Sequence, residues 1–113
     1  VNIPKGVNGA YYPSELSLHK QLLLKGIINS LQGIGEPYVS IDEAYESYQA
    51  VCEWHNRESE GKSMIRSYLK DLSTEGYILL KDIEGEMFVG MEYPFDRLAK
   101  VLDEALNQAL EES

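Results

Sequence analysis

The sequence predicts a mainly helical α+β domain of winged helix-turn-helix type: a three-helix core, a two-stranded wing and a C-terminal helix. Three observations predict it. Apolar residues recur at helical spacing in four separate stretches. A serine and a glutamate three residues apart open the second of these. Two short apolar runs around a glycine-containing turn follow the third.

Residues 1–13 hold two prolines, two glycines and no helical period, so they read as an arm or linker ahead of a domain over residues 14–113. Ser14 is the expected N-cap of a helix running to about Gln32. Its apolar face is Leu16, Leu23, Ile27 and Leu31, with Leu24 and Ile28 beside them, and Gly33 and Gly35 end it. Tyr38 and Val39 form a very short extended piece. Ser40 and Glu43 then make a capping box. The helix it opens turns Ile41, Ala44, Tyr45, Tyr48, Val51 and Cys52 inward, with Trp54 or His55 near its end and Trp54 as an anchor at the core edge.

The polar segment 56–61 is the gap of the helix-turn-helix. The third helix starts near Lys62 or Ser63, buries Ile65, Leu69 and Leu72 with Tyr68 beside them, and stops at Gly76. Residues 77–81 and 87–91 read as strands around a turn at 82–86. Pro94 opens the last helix, whose apolar face is Phe95, Leu98, Val101, Leu102, Ala105, Leu106, Ala109 and Leu110.

A chain of 113 residues, 43% of them apolar, fits one domain with one core. No stretch approaches the about 18 consecutive apolar residues of a membrane span. The start carries no secretory pattern. It also lacks an initiator Met, which a piece excised from a larger protein and a processed chain would both show. Cys52 is the only cysteine, which excludes an internal disulfide and a cysteine-based metal site; its place in a helical pattern reads as a buried small hydrophobe. A cytoplasmic or nuclear setting is expected from the single cysteine.

The net charge of −9 opposes a nucleic-acid partner at long range. Its distribution matters more. Residues 61–81 hold four bases, Lys62, Arg66, Lys70 and Lys81, against the acids Asp71 and Glu75, whereas residues 82–113 hold nine acids against Arg97 and Lys100. Lys62, Ser63, Arg66, Ser67 and Lys70 fall mainly opposite the buried stripe of the third helix. Arginine pairs bidentately with guanine, lysine meets phosphate or guanine, and small serines let a helix sit close in a groove. Those five residues and Lys81 are the candidate DNA-binding set.

His19 and His55 have no partner at metal-ligand spacing, and His19 reads as a packing or capping residue. No G-x-x-x-x-G-K-[ST] motif is present, so ATP binding through a P-loop is not expected. Neither catalysis nor a cofactor is expected of this chain. Two other uses stay open: contact with a protein partner or a second copy through residues 95–110, which the acidity and the long apolar last helix fit, and a stand-alone transcriptional regulator, in which a last helix commonly builds a dimer.

Three stretches also resemble a known family, the C-terminal winged-helix domain of the archaeal and eukaryotic Orc/Cdc origin-recognition initiators. Leu16-Ser17-Leu18-His19-Lys20-Gln21-Leu22-Leu23-Leu24 is similar to the family's L-x-L-H-x-K/Q-L-x-L opening. Ala44-Tyr45-Glu46-Ser47-Tyr48-Gln49-Ala50-Val51-Cys52 is similar to its x-Y-x-x-Y-x-x-x-C helix. Ile65 to Ile78 resembles its V-x-x-x-L-x-x-L-x-x-x-G-x-I passage into the wing. The resemblance implies a module that binds double-stranded origin DNA, with the third helix in the major groove and the wing near the minor groove. It also implies an AAA+ ATPase portion upstream. Archaeal members commonly carry a basic wing; here Asp82, Glu84 and Glu86 make it acidic, so the wing is not assumed to help.

Overall fold

The helical part begins later than Ser14. Pro13–Glu15 forms one 3-10 turn, Leu16 leaves it in extended conformation, and helix α1 runs Leu18–Ile34 with Ser17 as its N-cap. Gln21 holds the break in place: its buried Nε2 donates to the Leu16 carbonyl at 2.9 Å. These features belong to a computed structural model that describes residues 12–92 and 94–112. The expected arm over residues 1–11, Tyr11 included, lies outside the described residues. α1 runs through Gly33 and ends at Gly35, whose backbone is left-handed and whose N–H returns to the Leu31 carbonyl at 2.9 Å.

Leu22, Leu23, Leu24, Ile27 and Ile28 are all at most 1% exposed, so α1 is buried on several sides rather than along one stripe. A helix apolar nearly all round belongs at the centre of a domain. Its neighbours are strand β1 (Tyr38–Ser40), helices α2 (Ile41–Trp54) and α3 (Lys62–Thr74), strand β3 (Glu86–Gly90) and helix α4 (Asp96–Glu112).

The capping box of α2 forms as predicted, with Glu43 N–H donating to Ser40 Oγ and Ser40 N–H to Glu43 Oε1. Ile41, Ala44, Tyr48, Val51 and Cys52 are buried. Trp54 is not the expected anchor. It is 83% exposed, because it falls roughly 110° around the helix from the centre of that buried face. α2 closes in a Schellman motif, Arg57 N–H to the Cys52 carbonyl and Asn56 N–H to the Glu53 carbonyl, with Asn56 at φ 57°.

β2 (Leu79–Ile83) and β3 form the wing. The strands are offset from the expected 77–81 and 87–91: Tyr77 and Ile78 are buried in the core and precede the ladder. The turn is correspondingly tighter. Ile83 pairs with Glu86, leaving a two-residue turn at Glu84 and Gly85 with φ of 53° and 85°. Positive φ at both centres is the type I′ turn, whose twist matches that of the flanking strands. Asp82 Oδ1 accepts from Gly85 N–H at 2.9 Å. Glutamate is a poor left-handed residue and asparagine a good one. Glu84→Asn is therefore expected to stabilise the domain by about 0.5–1 kcal/mol. A urea midpoint that stays put or falls would contradict the turn assignment.

β1 adds a third antiparallel strand, in the order β1-β3-β2, with Val39 opposite Val89 on the core side. Gly90 is required there. A Cβ on it would lie 2.7 Å from the Pro37 carbonyl oxygen and from the Tyr38 ring, which lies across the space.

α4 begins at Asp96, two residues after Pro94, and lays Leu98, Leu102, Ala105 and Leu106 against α1 and the 3-10 turn. Lys25 and Asp103 pair across that interface at 2.8 Å. The apolar face that residues 95–110 offered for self-association is thus largely used inside the domain.

Candidate nucleic-acid interface

α3 is held by its buried stripe and by the loop before it. Ile65, Leu69 and Leu72 are at most 1% exposed. Glu60, at the end of the loop, is bound by three tyrosines. Tyr45 Oη donates to its carbonyl at 3.1 Å, its N–H donates to Tyr48 Oη at 2.7 Å, and Tyr68 Oη donates to its carboxylate at 2.6 Å. Tyr48 Oη also meets His19 Nδ1 at 2.8 Å, so His19 has the packing role read from its context. Burial raises the Tyr48 phenol well above its ordinary pKa. The Glu60 carboxylate, with some burial, pushes Tyr68 up to about 12. Both phenols therefore stay protonated across the physiological range.

Tyr48→Phe would leave the Glu60 amide and His19 Nδ1 without their shared partner. The expected cost is about 1–3 kcal/mol in urea unfolding, with faster hydrogen exchange through residues 56–61. If neither changes, the loop is held by other means.

The outward side of α3 carries Ser63, Arg66, Ser67, Lys70 and Thr74, all exposed. The predicted set divides here. Ser63, Arg66, Ser67 and Lys70 share this surface. Lys62 sits on its flank, half-buried, paired with Asp42 and lying 5.9 Å from the Tyr45 ring centroid. The Lys62 ammonium holds the Asp42 carboxyl below the usual carboxylate range. Lys81 is farther off, on the outer face of β2, with Nζ 5.3 Å from the Tyr38 ring centroid. Asp71, the acid on the opposite flank of α3, is offset by Lys20 at 3.0 Å. Lys20 was missed as a contributor; its chain distance from α3 hid it. The α3 surface therefore shows Arg66 and Lys70 as its exposed cations, with small hydroxyl side chains around them.

Arg66 also borders a hollow of about 280 Å³ with Ile41, Asp42, Asp82, Gly85, Glu86 and Met87. The wing tip and the start of α2 close it on either side. A second hollow, of about 490 Å³ between α1, α2 and α4, is overhung by Trp54 and lined by His55, Lys25 and Asp103. Among the described residues, no group of three or more His, Cys, Asp or Glu side chains gathers to hold a metal ion. Cys52 is buried, and burial raises its thiol pKa, which leaves it inert.

Residues 13–92 match the family described as "CDC6, C terminal winged helix domain". The fold is also similar to Cdc6p from Pyrobaculum aerophilum, with a TM-score of 0.78 and 31% identity over 86% of this chain. The Aeropyrum pernix ORC2 protein shares the fold, with a TM-score of 0.74 and 23% identity over 87% of this chain. The chain spans 25% of the length of each of those two structures. Among curated protein sequences, none matches.

Proposed function

The chain belongs to the Cdc6 C-terminal winged-helix family, and from that premise we propose that it is the duplex-DNA-binding module of a replication initiator, acting in origin recognition. The winged-helix domain is itself a non-catalytic module. One observation carries the reading: Arg66 and Lys70 stand with Ser63, Ser67 and Thr74 on the exposed side of a helix whose other side is locked into the core. A surface of small residues enters a major groove closely enough for arginine to reach guanine N7 and O6.

An ATPase portion elsewhere in a parent protein, with its nucleotide, belongs to the same proposal. So does the cellular setting of such an initiator. A dimer through the inner face of α4 gains no support, because that face is already covered by α1 and the 3-10 turn.

The test is titration of the chain onto a fluorescent duplex, read by anisotropy from low to physiological salt. Saturable binding is expected, weakening with a log–log slope of about −1, since Lys70 is the cation that meets a phosphate and each neutralised phosphate contributes about −0.9. Absence of saturable binding at low salt would overturn the proposal.

A further inference from the structure

Arg66 stands among fixed negative charge. Asp42, Asp82 and Glu86 border the same hollow, and Glu84 occupies the wing tip next to them. Asp42 is already matched by Lys62, whereas Asp82 and Glu86 have no ion-pair partner among the described residues. Asp82 is also fixed in direction, because its Oδ1 holds the Gly85 N–H of the wing turn.

We propose that the wing carboxylates Asp82 and Glu86 are specificity-determining residues, which repel phosphate from the Arg66 side of α3 and so reserve Arg66 for a guanine edge. This rests on the reading of the chain as a duplex-DNA-binding module. The physical basis is the difference between the two targets of an arginine. A phosphate carries a full charge and is repelled by carboxylates within a Debye length, about 10 Å at 0.1 M salt. Guanine N7 and O6 are neutral acceptors and are repelled far less. Non-specific binding draws almost wholly on phosphate contacts, while discrimination draws on base edges. Negative charge beside the one arginine of the α3 surface therefore weakens binding to arbitrary duplex more than binding to a site that presents guanine. The wing acts by exclusion rather than by contact.

The experiment compares the chain with Asp82→Asn/Glu86→Gln. Asparagine keeps the acceptor for Gly85 N–H, and Glu86→Gln alone serves as the second variant if the pair unfolds. Two probes are used: a random-sequence 20-bp duplex, and a duplex enriched by the unmodified chain from a random pool. Neutralising the wing is expected to tighten binding to the random duplex about tenfold at 50 mM salt, and the gain should shrink to about twofold at 200 mM. The ratio between enriched and random duplex should fall by a similar factor. Unchanged or weaker random-duplex binding would overturn the proposal. Arg66→Ala/Lys70→Ala, measured in parallel, separates the two ideas. If that pair loses binding while the neutral wing behaves like the original, only the role of the wing fails. If neither wing form binds any duplex, or if the Arg66/Lys70 pair binds as well as the unmodified chain, the DNA reading itself fails, and this inference with it.

Discussion

Gly26→Ala is expected to destabilise the domain by about 3 kcal/mol, lowering its midpoint by more than about 10 °C. The change adds one methyl in the middle of α1, where helix propensity alone would favour alanine by about 1 kcal/mol. The surroundings reverse the sign. A Cβ on Gly26 would lie 2.6 Å from the backbone nitrogen of Tyr48, 2.7 Å from its Cα and 3.0 Å from the Ser47 carbonyl carbon. Those are backbone atoms of α2 and cannot swing aside as a side chain can. The two helices would have to separate along the most extensive helix–helix contact of the domain. Gly33→Ala is the control, in the same helix, with nothing within 4 Å of the added carbon. It is expected to stabilise by about 0.5–1 kcal/mol. Equal effects from the two substitutions in thermal melts would refute the close approach. Any displacement of α2 also moves Tyr45 and Tyr48, which hold Glu60, so Gly26→Ala should loosen the lead into α3 as well.

Arg66→Ala together with Lys70→Ala is expected to abolish measurable duplex binding while leaving the melting temperature nearly unchanged. Both side chains are exposed on the side of α3 away from Ile65, Leu69 and Leu72, so their loss costs little packing. Singly, Arg66→Ala should cost about 1–3 kcal/mol and relax any base preference. Lys70→Ala should weaken all duplexes alike and flatten the salt slope by about 1. Lys62→Ala should weaken binding less than Arg66→Ala, because its ammonium is already paired with Asp42 and its loss acts only by leaving that carboxylate unmatched beside Arg66. Lys81→Ala should do less than either α3 change, since Lys81 lies on the outer face of the wing over Tyr38. Anisotropy titrations of the four variants rank these effects. A ranking with Lys62 or Lys81 above Arg66 would move the interface off the exposed side of α3.

The candidate surface was largely legible because it follows from one helical period. With Ile65, Leu69 and Leu72 as the buried stripe, Ser63, Ser67 and Lys70 must face outward, and they do. Charge compensation was not legible. Pairing of Lys62 with Asp42, and of Lys20 with Asp71, joins residues 20 and 51 positions apart, and no periodicity reports such meetings. The placement of Trp54 failed for a smaller reason, a rotation about one helix near its end.

By itself, the sequence determined the elements and their order, the Ser40–Glu43 cap of α2, the inward faces of α2, α3 and α4, and the family to which the chain belongs. Each of these depends on residues within a few turns of one another. Only the tertiary structure decided that Gly26 is a contact rather than a helix defect, and that β1 completes the wing sheet. It also decided that the inner face of α4 is used within the domain, and that Arg66 stands beside the wing's carboxylates while Lys62 is neutralised. Those outcomes depend on which distant backbone or charge arrives alongside, and that is settled by packing around α1.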